Sequence, residues 1–261
     1  MTGMKLVARL QAVRLEKERV ALSLLALSFF VVFYSLAAIS SPVAWRLAFL
    51  ALAFCYGVGF MALACQWFWA RWYASGLAWS GTVVGLASLV MVGWHPVLAV
   101  YGGLHALVLI MLAGPNMAAR FEMQREWRER FAMDEFGVAR LRRMVTRASA
   151  ALPSLILWVL APREGQGGWF VAGVAMLSAL TGLTGTLFLR TWGVLAIGTS
   201  GLLTLVGLGF SSPISPDASA WIGSLGQAES VWWGALLSAI LLLAAVLPLA
   251  RAIRCAWRTL D

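Results

Sequence analysis

Residues 16–39 read EKERVALSLLALSFFVVFYSLAAI, in which four charged residues are followed by twenty uncharged, mostly apolar ones. Twenty residues of helix extend ~30 Å, which matches the hydrocarbon thickness of a bilayer. Because lipid offers no partner for backbone polar groups, a segment of this kind is expected to be helical. The run is longer than the apolar part of a secretory signal, so we expect it to remain as a membrane anchor.

Seven further apolar stretches follow this first one. The composition agrees with a membrane protein, because 61% of the residues are hydrophobic and only 12% are charged, whereas soluble domains have about a quarter charged residues. Eleven of the fourteen tryptophans lie near the ends of the stretches, as expected at headgroup level. The sequence thus predicts an all-α polytopic membrane protein with about eight transmembrane helices, at 20–39, 47–69, 77–94, 97–113, 148–162, 169–189, 192–210 and 231–250.

The basic residues lie almost entirely on one face of this predicted membrane. When the gaps are assigned alternately to two faces, only Arg46 and Arg163 of the twenty Lys and Arg residues fall on the opposite face. This positive-inside pattern predicts that both termini are cytoplasmic. The arginine bias and the single asparagine favour a bacterial inner membrane. Since topology accounts for the net charge of +9, we expect the basic residues to meet anionic headgroups and not nucleic acid.

The predicted spans divide the chain into two four-helix membrane halves, 20–113 and 148–250. We expect a basic amphipathic segment at 1–19, a cytoplasmic connector at 114–147 and a basic tail at 251–261. The third and seventh spans share an order of residues, from Arg71-Trp72 to Ser80-Gly81 and from Arg190-Thr191-Trp192 to Ser200-Gly201. This order suggests two parallel repeats. The alternative is that arginine and tryptophan anchor any cytoplasmic helix end, and the sequence leaves both interpretations open.

The connector is the one substantial polar segment between spans. Its first part places apolar residues on one helical face and charges on the rest, with Gly137 able to end the helix. A second basic helix with Val138, Leu141 and Val145 is expected to run into the fifth span. The first part could lie on the inner leaflet or dock a cytoplasmic partner. The candidate docking residues for lipid or partner are Phe121, Trp127, Arg128, Phe131, Arg142 and Arg143.

Small residues form smooth faces on several predicted spans. Ala78, Gly81, Gly85 and Ser88 recur at helical spacing on the third span, and similar faces occur on the sixth and seventh. Helices in lipid associate through such faces because backbones can approach closely there. We expect these faces to pack helices within the bundle and not to form an oligomer interface.

Residues able to support chemistry are scarce in the predicted spans. None of the eleven acidic residues and none of the basic ones lies inside a span, which argues against a transporter coupled to ions through buried carboxylates. No cluster has the spacing of metal ligands, so the sequence predicts no metal, no cofactor and no catalytic residue. His105, one turn after Tyr101, is expected to be a core histidine bonded to a neighbouring helix.

These observations favour a non-enzymatic membrane subunit, scaffold or regulator that acts through its cytoplasmic amphipathic segments. The alternative is a permease for a lipid or an uncharged solute, energised by a separate subunit. An intramembrane enzyme that uses His105 is the least favoured hypothesis. In the permease the polar path would be lined by Gln66, Tyr101, His105, Ser178, Thr181 and Thr184.

Overall fold

The computed structural model describes residues 16–130, 134–162, 169–188, 190–210 and 229–258. Across these ranges the chain is helical apart from short turns. The helices are α1 (Glu16–Ser40), α2 (Val43–Ala64), α3 (Ala70–Val92), α4 (Pro96–Leu112), α5 (Pro115–Glu122), α6 (Arg125–Arg130), α7 (Glu135–Leu160), α8 (Trp169–Leu187), α9 (Thr191–Phe210) and α10 (Glu229–Arg258).

Six of these helices, α1, α2, α3, α7, α8 and α9, are long and apolar enough to cross a membrane. The bent pair of α4 and α5 adds a seventh if it counts as one span, and α10 contains a shorter apolar helix at Val231–Leu247. Many large apolar side chains face outward, among them Leu25 (67% exposed), Phe54 (72%) and Val90 (85%). Water would penalise such a surface, so the fold is that of a multi-pass membrane protein.

The fourth apolar stretch forms a bent pair of helices. Helix α4 has 17 residues and extends ~26 Å, which is less than the hydrocarbon thickness. Gly114 follows it with φ +99°, a conformation that glycine adopts without strain, and Pro115 opens α5. The chain bends by 74° at this point. The connector therefore begins by folding back beneath the bundle.

The helices of each half pack as a ring. In the first half α1 contacts α2, α2 contacts α3, α3 contacts α4, and α4 returns to α1. In the second half α7, α8, α9 and α10 follow the same order, with α10 returning to α7. The two halves meet mainly where α3 packs on α7, and α2 also contacts α7. The shared order agrees with the repeat hypothesis, which stays a prediction.

Glycines bring α3 and α4 into close contact. A Cβ atom placed on Gly85 would lie 2.6 Å from the Cα atom of Gly102, and one placed on Gly81 would overlap the ring of His105. On the other side of the molecule, Gly182 and Gly193 bring α8 and α9 equally close. The prediction that small residues pack helices within the bundle is confirmed at these positions.

The structure differs from the sequence-based expectations at several places, and α3 begins at Ala70, before the expected start of the third span at residue 77. The second span was expected at 47–69, but α2 ends at Ala64, and Gln66 forms a left-handed turn with φ 54°. The first part of the connector is two short helices and not one. Gly137 does not end a helix, because the carboxylate of Asp134 caps the start of α7 by accepting the Gly137 N–H at 2.6 Å.

Helix α7 confirms that the second basic helix of the connector runs into the fifth apolar stretch. It continues without interruption from Glu135 to Leu160, through Pro153. The predicted basic tail is helical as far as Arg258, as part of α10. Most of the predicted segment 1–19 lies outside the described residues.

The contact between Gly85 and Gly102 predicts a difference between two alanine substitutions. Gly85→Ala places its methyl group against the backbone of α4, so we expect the free energy of unfolding to fall by about 1–3 kcal/mol. The matched control is Gly103→Ala, where nothing lies within 4 Å of the added atom, and stability should stay equal or rise by up to ~1 kcal/mol. Thermal unfolding in detergent measures both, and equal effects would contradict the packing argument.

Candidate functional site

All four tyrosines of the chain lie in the first half, and three of them form one cluster with His105. The hydroxyl groups of Tyr34 and Tyr101 are 2.9 Å apart, and the Tyr56 hydroxyl lies 2.7 Å from Nε2 of His105. The residues come from α1, α2 and α4, and Tyr34, Tyr56 and His105 are buried. We call Tyr34, Tyr56, Tyr101 and His105 the tyrosine–histidine cluster.

The hydrogen bonds of the cluster define the state of the imidazole ring. Nδ1 of His105 lies 2.8 Å from the backbone carbonyl oxygen of Tyr101. A carbonyl oxygen can only accept, so Nδ1 carries the hydrogen, and in the neutral ring Nε2 accepts from the hydroxyl of Tyr56. Both ring nitrogens therefore have partners, and the ring of Phe30 lies over the imidazole with centroids 3.8 Å apart. The cluster holds three helices together through satisfied polar groups.

A narrow apolar groove lies beside this cluster, between α1 and α4. Its volume is about 260 Å³. Only the tyrosine contributes a polar side chain to its wall, and the groove faces the apolar outer surface of the bundle. The lining residues are Phe29, Phe33, Pro96, Val97, Val100 and Tyr101.

The second concentration of polar groups lies at one end of the bundle, where α3, α5 and α7 meet. Glu122, the last residue of α5, is buried, with 7% exposure. Its carboxylate forms an ion pair with Arg71 and accepts a hydrogen bond from the indole N–H of Trp72 at 2.8 Å. Arg142 of α7 approaches the second carboxylate oxygen at 3.4 Å. We call Arg71, Trp72, Glu122 and Arg142 the Glu122 network.

Two arginines also bind the carboxyl-terminal end of α4. Arg19 of α1 donates to the carbonyl oxygens of Ile110 and Ala113, and Nε of Arg71 donates to that of Leu112 at 2.8 Å. The last carbonyls of a helix lack partners within it and carry partial negative charge, so cations stabilise them. Through these bonds the end of α4 is fixed to α1 and α3.

The apolar face of the connector packs against the same end. Phe121 is fully buried, and Trp127 is 7% exposed and stacks on Phe68 of the α2–α3 turn with centroids 4.1 Å apart. Gln124 donates to the backbone carbonyl of Gln66 at 2.9 Å. Burial of these aromatic side chains and the charge network together hold α5 and α6 on the bundle. We call the end of the bundle that holds the Glu122 network and these contacts the basic end.

A polar cavity of about 310 Å³ opens beside the Glu122 network, between α3 and α7. Helix α3 supplies three of its residues and α7 supplies four. Gly76 lets the two helices meet at its inner side, because any Cβ there would overlap Ser149 and the backbone at Thr146. The cavity, which we call the arginine pocket, is lined by Arg71, Trp72, Ser75, Arg142, Arg143, Thr146 and Arg147.

The candidate docking residues have different placements. Phe121 and Trp127 are buried, so a partner could reach them only if α5 and α6 left the bundle. Arg142 and Arg143 are exposed at the mouth of the arginine pocket, and Arg128 is half-buried. Phe131 lies outside the described residues.

The six candidate path residues are not brought together. Gln66 lies in the α2–α3 turn, whereas Tyr101 and His105 lie in the cluster inside the first half. On α8 the hydroxyls of Thr181 and Thr184 are exposed and donate to the carbonyls of their own helix, and Ser178 is half-buried one turn earlier. A path through both halves would need residues other than these.

Sequence reasoning missed the most connected residue of the site. Glu122 is one of several charges in the first part of the connector, and nothing in its spacing distinguishes it from Glu126. A signal did exist for the tyrosine–histidine cluster, because all four tyrosines and the span histidine fall in one half. Arg71 and Trp72 were interpreted as membrane anchors, although they also bind Glu122.

Comparison with known proteins gives no relative. No family model matches the chain, no curated protein matches it, and no solved structure matches it. Within the described residues no group of histidine, cysteine or acidic side chains could hold a metal ion.

The Glu122 network predicts a large loss of stability when its carboxylate is removed. Glu122→Ala leaves Arg71, whose side chain is 14% exposed, next to Arg142 with no counter-charge, so we expect a loss of about 3 kcal/mol. Glu126→Ala, which removes an exposed carboxylate four residues later, should change stability by less than about 0.5 kcal/mol. Thermal unfolding of the two purified variants compares them, and similar losses would contradict the role assigned to Glu122.

The tyrosine–histidine cluster predicts unequal effects of two tyrosine-to-phenylalanine changes. Tyr56→Phe leaves Nε2 of His105 buried without its donor, so we expect a loss of about 1–3 kcal/mol. Tyr73→Phe removes only a 3.3 Å bond to the Cys55 carbonyl, and the loss should stay below about 1 kcal/mol. Thermal unfolding checks the order, and a larger loss for Tyr73→Phe would contradict it.

Proposed function

We propose that this chain is a non-enzymatic membrane subunit or regulator that contacts a protein partner through the cytoplasmic surface of its connector. The observation that carries the proposal is the attachment of the connector to the bundle through Glu122. A connector held by a buried ion pair and by buried aromatic residues presents its outer surface in a fixed position. Such a surface suits recognition of a partner better than a free linker would.

The outer surface of the connector has the composition of a contact site. Met123 and Phe136 are 55% and 75% exposed, and the acidic residues Glu126, Asp134 and Glu135 are exposed near them in the sequence. An apolar centre with a polar rim is the usual arrangement of a protein–protein interface. In the topology predicted from the arginines, this surface faces the cytoplasm.

The permease alternative has less support from the geometry. Its candidate path residues lie on separate surfaces, and both ring nitrogens of His105 are already hydrogen-bonded. An enzyme that uses His105 has less support for the same reason, since neither nitrogen is open to a substrate in this arrangement.

Site-specific photocrosslinking in native membranes tests the proposed partner contact. A photoreactive residue at Phe136 or Met123 should give one discrete crosslinked product. Both side chains are exposed and can reach the proposed partner. The matched control is a photoreactive residue at Trp94, which is 82% exposed and follows the far end of α3 from Arg71. A product from Trp94 alone, or none from either connector position, would contradict the proposal.

Replacement of an exposed side chain tests the partner contact without changing the stability of the fold. Without crosslinking, Phe136→Ser should lose during purification the partner that crosslinking identifies, while thermal unfolding stays unchanged, because the side chain is 75% exposed. Arg140→Gln, an exposed change on the same helix, serves as the control. Retention of the partner by Phe136→Ser would place the contact elsewhere.

A further inference from the structure

We propose that the arginine pocket binds a phosphate group, most simply the phosphodiester headgroup of an anionic membrane lipid. This inference goes beyond the partner contact proposed above and does not depend on it. It concerns the cavity between α3 and α7, whereas the partner contact concerns the outer surface around Met123 and the start of α7.

The pocket has an excess of positive charge that a bound anion would neutralise. Four arginines line it, and the carboxylate of Glu122 is the one acidic group that contacts any of them in the described part of the chain. Glu122 binds Arg71 and Arg142, which leaves Arg143 and Arg147 without a counter-charge there. Like charges held this close repel one another, and a bound anion would relieve the repulsion.

The hydrogen-bond donors in the pocket are only partly used. Arg143 makes no hydrogen bond or ion pair within the described residues, and Arg142 makes only its 3.4 Å contact with Glu122. Arg147 donates to the backbone carbonyl of Ala244, which fixes its position. The side-chain hydroxyls of Ser75 and Thr146 likewise have no hydrogen bond in the described part of the structure. The pocket therefore offers more donors than its own acceptors satisfy.

This donor set fits phosphate better than carboxylate. Guanidinium groups bind both carboxylate and phosphate oxygens with two parallel N–H···O bonds, so the number of donors decides between the two anions. Donors line both walls, from Ser75 on α3 and from Arg142, Arg143 and Thr146 on α7, so the pocket can bind a group with several oxygens from both sides. A volume of about 310 Å³ lies at the lower end of small-molecule sites, ~300–1,000 Å³.

The position of the pocket favours a lipid as the source of the phosphate. Arg71, Trp72 and Ser75 belong to the first turns of α3, whose amino-terminal end carries partial positive charge. In the predicted topology this is the inner-leaflet end, where headgroup phosphates lie. Basic pockets between membrane helices on this side are suited to anionic headgroups.

Binding to the full-length protein in a phosphate-free maltoside detergent tests the proposal. The probes are dioctanoyl phosphatidylglycerol, inorganic phosphate and, as the uncharged control, dioctanoyl glycerol, each titrated by calorimetry. We expect saturable binding of the phospholipid, and Arg143→Gln should weaken it about tenfold or more, since a hydrogen bond to a charged group is lost. Arg140→Gln removes the same charge from the same helix outside the pocket and should have less than about a twofold effect, as expected of an exposed charge.

The outcomes separate the source of the phosphate from the existence of the site. Binding of the lipid alone identifies a headgroup, and binding of inorganic phosphate with the same dependence on Arg143 identifies the phosphate group itself as sufficient. Arg143→Lys should restore only part of the affinity, because an ammonium group lacks the planar fork. Absence of saturable binding, equal binding of dioctanoyl glycerol, or equal losses for Arg140→Gln and Arg143→Gln would overturn the proposal. Since Arg143 is exposed and unbonded, unchanged thermal unfolding should accompany its loss of affinity.

Discussion

The arrangement at the basic end depends on one buried carboxylate. Glu122 lies between Arg71 of α3 and Arg142 of α7 and also accepts the indole N–H of Trp72. Without it, two arginines from different helices would face each other across a partly buried space, at an electrostatic cost. Because Glu122 ends α5, its position also requires the bend at Gly114 that returns the chain beneath the bundle. The two membrane halves meet where α3 packs on α7, so this carboxylate stabilises the junction between them.

The interior of the bundle follows a different rule from the basic end. Several polar side chains of the described interior pair with each other, as in the tyrosine–histidine cluster, or donate to backbone carbonyls, as Ser200 of α9 does to Ala175 of α8. Such pairing lowers the cost of a polar group in lipid. At the basic end, by contrast, the arginines outnumber their acidic partners. The difference explains why the candidate binding site lies between α3 and α7 at the basic end and not in the interior of the bundle.

The helices could be predicted from the sequence because lipid imposes length and hydropathy on each segment separately. The same local argument foresaw that α7 runs from the connector into the membrane, and it identified the glycine faces of α3 and α8. It failed where a contact joins distant residues. Glu122 and Arg71 are 51 positions apart, and no periodicity relates them. Gln66 was expected within a span because its neighbours are apolar, whereas the hydrogen bonds of a tight turn between α2 and α3 determine its place.

The burial of the aromatic residues of the connector also depends on contacts with distant residues that the sequence pattern does not reveal. Phe121 and Trp127 are apolar residues among the charges of the connector, and pattern alone cannot say what covers them. The bend after α4 turns Trp127 toward Phe68, which lies in the α2–α3 turn. The surface left for a partner is then the other side of the connector, around Met123 and Phe136.

Arg142 links the arginine pocket to the connector because it belongs to both the pocket and the Glu122 network. This guanidinium group contacts Glu122 and also lines the arginine pocket. A phosphate bound in the pocket would compete with Glu122 for Arg142, while the ion pair between Arg71 and Glu122 would still hold α5. A partner that prefers one position of the connector would then change the affinity for phosphate. Thermodynamic linkage requires that bound phosphate changes the affinity for that partner by the same factor. The loose 3.4 Å contact of Arg142, and not the close pair at Arg71, is the point at which such coupling would act.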